Sequence, residues 1–230
     1  MKLAEFVKRE LCGWGKTERV LFAFTLFFII IISTYLNDNK IALISAICGI
    51  SYTILAGKGK ISCYFFGILG TFCYGFISYK NALYGNLALY IFCYFPMQVI
   101  GIYRWKKHLK PGSGEIVKTK LPHTERGLYT CAAAALSVIL CFILKYFNDQ
   151  SPIIDSITSV FSVIGLILTV KRCIEQWYIW FVVNFLSVIM WCRAYLSGSN
   201  CFATVLMWSV YLVLTVYFYN IWKKELNNFK

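Results

Sequence analysis

Apolar residues in this chain fall into eight long runs separated by short charged or turn-rich breaks, at roughly 20–36, 41–57, 61–79, 83–104, 128–147, 153–170, 174–192 and 200–222. Each run holds about 17 to 23 residues, enough at about 1.5 Å per residue to cross a hydrocarbon core about 30 Å thick. The pattern predicts an all-α membrane protein with eight transmembrane helices. The first run follows the charged stretch "MKLAEFVKRELCGWGKTER". It is too long for a signal-peptide core and no small-residue cleavage site follows it, so it is expected to remain as a helix.

Composition supports the same class. The chain is 59% hydrophobic, 18% aromatic and only 14% charged, well outside soluble usage. Its net charge of +13 raises nucleic acid as a partner, but the placement of the cations argues against it. With the N-terminus in the cytoplasm, 19 of the 23 Lys and Arg residues fall on that side, and only Lys40, Lys80, Lys145 and Arg193 fall on the other. That asymmetry places both termini in the cytoplasm. The loop "KKHLKPGSGEIVKTKLPHTER" is then a cytoplasmic connector with anionic lipid as its expected partner. His108 and His123, the only histidines, lie in or beside it and are expected at the surface.

The chemistry of enzymes is missing from the sequence. Ten cysteines include no CxxC or Cys/His cluster with metal spacing, and Cys48, Cys63, Cys73, Cys93, Cys131, Cys141 and Cys192 read as small packing residues within spans. No P-loop, HExxH or intramembrane Ser/His/Asp set is present. No catalytic role, metal or cofactor is expected. Asp155 and Glu175 sit at helix starts, and no Asp, Glu or Lys lies in the middle of a span. Coupling to protons or sodium normally recruits such groups or broken-helix carbonyls, so the composition points to a uniporter.

Sliding the second half over the first by 117 residues sets "YRWKKH" (Tyr103 to His108) on "NIWKKE" (Asn220 to Glu225). The same offset pairs Tyr94 with Tyr211, Gln98 with Thr215, Tyr74 with Trp191 and Ser45 with Ser162. Helices two to four therefore map onto six to eight, with the fifth as a linker and the first outside the repeat. The expected layout is an extra N-terminal helix plus a 3+1+3 core of parallel repeats. Its parts are an N-terminal segment 1–38, a first repeat 39–106, a basic loop and linker helix 107–148, a second repeat 149–225 and a tail 226–230.

Three stripes of polar and aromatic residues mark faces turned away from lipid, because an unsatisfied polar group is costly in hydrocarbon. The fourth helix carries Asn86, Tyr90, Tyr94, Gln98, Gly101 and Trp105. The seventh carries Trp177, Trp180, Asn184, Ser187 and Trp191. The eighth carries Thr204, Trp208, Tyr211, Thr215 and Trp222. The third helix, the repeat mate of the seventh, offers Gly67, Gly70 and Tyr74 where the seventh offers Asn184, Ser187 and Trp191. Trp14, Trp105 and Trp222, near span ends, read as interfacial anchors. Trp177, Trp180, Asn184, Gln98, Tyr94, Tyr211, Thr215 and Trp208 are the candidate substrate-binding residues.

At "QVIGIYRWKKH", at "EQWYIWFVVN" and in the 3+1+3 layout, the sequence resembles the PnuC-type vitamin transporters over residues 40 to 225. This resemblance implies facilitated diffusion of nicotinamide riboside across the bacterial cytoplasmic membrane, drawn inward by phosphorylation in the cell. It also implies a homotrimer with a layout related to the SWEET sugar transporters. Trp177, Trp180 and Asn184 match the family's W-x-x-W-x-x-x-N substrate signature, and Gln98 matches a polar position on the facing helix. Nicotinamide riboside offers a flat cation for indole faces and an amide and hydroxyls for Asn and Gln. Thiamine, riboflavin and deoxynucleosides are also flat, and the aromatic walls alone do not choose among them. A non-transporting accessory subunit, whose stripes only pack helices, is the competing class.

Overall fold

The apolar runs fold as helices in the computed structural model, which describes residues 10, 13–35, 40–80, 87, 89–147, 151–198 and 202–228. In chain order these are α1 (Lys16–Tyr35), α2 (Lys40–Lys58), α3 (Cys63–Lys80), α4 (Phe95–Lys106), α5 (His123–Tyr146), α6 (Pro152–Val170), α7 (Gln176–Leu196) and α8 (Phe202–Asn228). Among the described residues there are isolated β-bridges but no strand. Four of the helices are long and apolar enough by length and composition to cross a membrane. Asn86, and the cations Lys2, Lys8, Arg9 and Lys230 counted in the charge asymmetry, lie outside the described residues.

A π-helical turn, Tyr90–Tyr94, leads into α4. Pro96 has no N–H to give to the carbonyl four residues back, so a regular ladder would be interrupted there. The wider turn bridges the gap: the Phe95 N–H donates to the Tyr90 carbonyl. It also stacks Tyr90 on Tyr94, with ring centroids 4.8 Å apart, and sets Tyr74 of α3 against Tyr90 at 4.7 Å.

The chain divides into two units, Met1–Val117 and Lys118–Lys230. Their internal contacts correspond. In the first, Glu18, third residue of α1, pairs with Lys58 at the end of α2 at 2.8 Å. In the second, Glu125, third residue of α5, pairs with Lys171 just after α6 at 2.7 Å. The turn after α2 places Gly59 at φ +72°, with Lys60 N–H donating to Leu55 O. The turn after α6 places Arg172 at φ +63°, with Cys173 N–H donating to Leu168 O. Ile116 N–H donates to Gly59 O, and Thr119 N–H donates to Arg172 O.

These matches correct the single offset expected from sequence. The second and third helices of each unit correspond at a shift of 113 residues, which carries Lys58 to Lys171 and Gly59 to Arg172. Only the last helix keeps 117, which carries Trp105 to Trp222. Four extra residues between the third and fourth helices of the second unit explain the change, so Ser45/Ser162 and Tyr74/Trp191 are not structural counterparts. Outside that register, α1 and α5 are alike in one contact: each is tied by an ion pair to the end of the helix that follows it.

In the basic connector Lys106, Lys107 and Lys120 are exposed, whereas Lys118 is buried. The connector forms a tight hairpin, with Leu109 and Ile116 paired and Gly112 and Gly114 at positive φ. Lys60 is fully buried beneath it, donating to Ser113 O at 2.7 Å with Glu115 at 3.7 Å. Lys118 is buried in the second unit, paired with Glu225 and 5.1 Å above the Trp222 ring.

Candidate functional site

Among the described residues, each unit holds a buried, uncharged polar pair between its third and fourth helices. In the first unit, Gln98 of α4 faces Thr71 of α3: the Gln98 amide donates to the hydroxyl at 3.0 Å, and the hydroxyl lies 3.3 Å from the amide oxygen. In the second, Asn184 of α7 donates to Thr215 of α8 at 2.8 Å, and Thr215 donates onward to Tyr211 O at 2.8 Å. All four side chains are buried. Shifting Thr71 by 113 gives Asn184, and shifting Gln98 by 117 gives Thr215. The amide and the hydroxyl have thus exchanged helices between the units. Thr215 spends its proton on Tyr211, whereas Asn184 keeps a carbonyl oxygen and a second amide proton for another partner.

A second exchange surrounds the pairs. Trp180 lies over Gly165 of α6, where a Cβ would come within 3.1 Å of the indole, and its N–H donates to Thr169 at 3.2 Å. In the first unit the ring comes from the opposite helix. Tyr52 of α2 lies over Gly67 of α3, where a Cβ would meet the ring at 2.8 Å and the Gln98 amide at 3.1 Å. Each unit fits one aromatic ring in this layer because a glycine faces it.

Trp177 stands apart from Trp180 despite the shared stripe. It is 3% exposed, stacked on Phe218 at 5.8 Å and edge-on to Trp222 at 5.6 Å. Its counterpart Tyr64 is edge-on to Trp105 at 4.9 Å. Trp105 and Trp222 are fully buried, which overturns their reading as interfacial anchors. Lys118 covers the Trp222 ring and Tyr64 packs edge-on against Trp105, so the indoles pack inward. Tyr94 belongs to the Tyr74–Tyr90–Tyr94 ladder, and Trp208 is edge-on to Tyr211 at 5.7 Å. Of the expected residues, the structure therefore brings together Asn184, Thr215 and Tyr211 through hydrogen bonds, and Trp208 with Tyr211 through their rings.

Thr71, Tyr52 and Thr169 were missed from sequence. A threonine in an apolar helix usually bonds its own backbone, as Thr25 does with Leu21 O, and so carries no signal alone. The 113-residue shift, which sets Thr71 on Asn184, would have found it.

Residues 39–224 match a family model described as "Nicotinamide mononucleotide transporter". The chain is similar to the nicotinamide riboside transporter PnuC of Neisseria mucosa, 33% identical over 223 residues that cover 94% of this chain and 85% of that protein. It is also similar to that of Haemophilus influenzae, 32% identical over 229 residues that cover 97% of each. Among solved structures it resembles the crystal structure of the vitamin B3 transporter PnuC, with TM-score 0.85 and 31% identity over 99% of both chains. These relatives are named as transporters, a non-enzymatic function.

Proposed function

This chain belongs to the PnuC nicotinamide riboside transporter family, and from that premise we propose that it carries nicotinamide riboside by facilitated diffusion, with phosphorylation in the cell drawing the substrate inward. The observation that carries the reading is the Asn184–Thr215 pair beside the partly exposed Trp180. The substrate contacts proposed are, within the second unit, Trp180, Asn184 and Thr215 with Trp208 and Tyr211, and, within the first, Gln98 and Tyr94. Trp177 supports them as packing and as part of the signature. An indole face attracts a pyridinium by about 0.5 to 2 kcal/mol, and Asn and Gln amides suit a carboxamide or ribose hydroxyls.

The matched family is described by the mononucleotide, whereas the relatives are named for the riboside. The chemistry favours the riboside. Neither polar pair includes a cation, and no Lys or Arg lies in the aromatic stripes to compensate a phosphate. Uniport is supported by the lack of acidic residues in the middle of the spans. The 3+1+3 core, the homotrimer, the bacterial inner membrane and cytoplasmic termini complete the proposal. They rest on the family and on the charge asymmetry.

Calorimetry with nicotinamide riboside, its mononucleotide, thiamine, riboflavin and a deoxynucleoside tests the specificity, with saturable binding expected for the riboside and weak binding for the mononucleotide. Flux into proteoliposomes tests the mechanism. Riboside entry is expected to follow its own gradient and to ignore imposed pH or sodium gradients. Accumulation above the external level, driven by either ion, would exclude uniport.

A further inference from the structure

Tyr52 combines two features that do not fit a packing role alone. Its ring and the Gln98 amide converge on Gly67, which has no side chain to separate them. Its hydroxyl is buried and has no hydrogen-bond partner. A phenylalanine would fill the same layer without burying an unsatisfied hydroxyl, a group proteins rarely leave unpaired.

The second unit shows how such a ring is satisfied internally. There the Trp180 N–H donates to Thr169 on the neighbouring helix. The residue that corresponds to Thr169 in the first unit is Ala56, which has no side-chain acceptor or donor. The first unit thus sets an aromatic residue in the same layer, adds a hydroxyl that can both donate and accept, and supplies no side-chain partner from that position. Gln98 beside it carries more hydrogen-bonding capacity than the single Thr71 hydroxyl can use.

We propose that Tyr52 is a further substrate contact, its hydroxyl meeting an uncharged hydroxyl or carboxamide of the transported riboside beside the Gln98 amide. This inference rests on the transport reading above. The partner is uncharged because Tyr52, Thr71 and Gln98 are all neutral, so an anionic group would find no counter-charge among them.

Tyr52→Phe tests the contact, since it removes only the hydroxyl. Two quantities are measured on the purified protein: the Kd for nicotinamide riboside by calorimetry, and the Tm without ligand. The expected result is a Kd about three- to tenfold higher, the effect of one neutral hydrogen bond, with a Tm equal to or above that of the parent. An unchanged Kd overturns the proposal. A raised Kd accompanied by a lowered Tm also overturns it, because the hydroxyl would then be holding the fold. If the parent itself gives no binding, the riboside reading fails along with this contact. Equal binding by parent and variant removes the contact alone.

Discussion

At the scale of single residues, two tryptophans three positions apart have different work. Trp180→Leu keeps an apolar side chain but loses the ring face, and its Kd for the riboside is expected to rise about five- to thirtyfold, equivalent to about 1 to 2 kcal/mol. Asn184→Leu leaves a buried substrate group unpaired at a cost of about 1 to 3 kcal/mol. Calorimetry checks both, and parent-like binding by either variant would exclude that residue from the site. Trp222→Leu should act differently. Its indole is fully buried against Trp177 and beneath Lys118, so the expected effect is a lowered Tm, below the roughly 3–5 kcal/mol of a Trp→Ala truncation. The sequence exposed the amides readily, since an amide in a long apolar run needs a partner. It did not separate anchor from core among the tryptophans, because an indole near a span end looks the same in both roles. Burial there is decided by neighbours distant in sequence, Tyr64 for Trp105, and Trp177 and Lys118 for Trp222.

At the scale of elements, the two ion pairs are equivalent in position and unequal in surroundings. Glu18 and Lys58 are almost sealed, with side chains 12% and 10% exposed, whereas Glu125 and Lys171 are 41% and 33% exposed. The Glu125 hydrogen bond raises the Lys171 pKa above its ordinary value. Lys171 therefore stays protonated throughout the neutral range, and the stabilisation from that raised pKa is lost only as the pH climbs through its folded value. Glu18→Gln should lower the Tm clearly, toward but not beyond the roughly 3–5 kcal/mol of a broken buried pair, because Glu115 remains 3.9 Å from Lys58. Glu125→Gln should cost at most about 1 kcal/mol. Equal shifts in Tm would contradict this ranking. The helices were legible because hydrophobic run length maps directly onto span length. The π-helical turn was not, since Pro96 alone is equally consistent with a kink or a helix start. The pairing of α1 with α2 was also hidden, because charges 40 residues apart carry no periodic signal.

At the scale of the whole chain, the duplication was legible only where its residues stayed alike. "WKK" and the Tyr94/Tyr211 pair survive at one offset, but the polar pairs changed chemistry and the register shifted by four, so half of the correspondence had to come from contacts. The aromatic layer adds a constraint on how the halves could have diverged. One unit places its ring on the second helix and glycine on the third, and the other places them the opposite way round. A mutational path from either state to the other that gains the new ring first must crowd two rings into one layer, and a path that loses the old ring first must pass through a void. The two positions are therefore epistatic. Gly165→Ala should lower the Tm in the parent, where the new methyl lies 3.1 Å from the Trp180 ring, and should lower it less in a Trp180→Leu background, where the contact with Ile179 at 3.2 Å remains. A double-mutant cycle that gave simple additivity would show that the ring and the glycine never constrained each other. A coupled cycle would mean that neither half of this protein can be improved one residue at a time in that layer, and that a library seeking new substrates must vary both positions together.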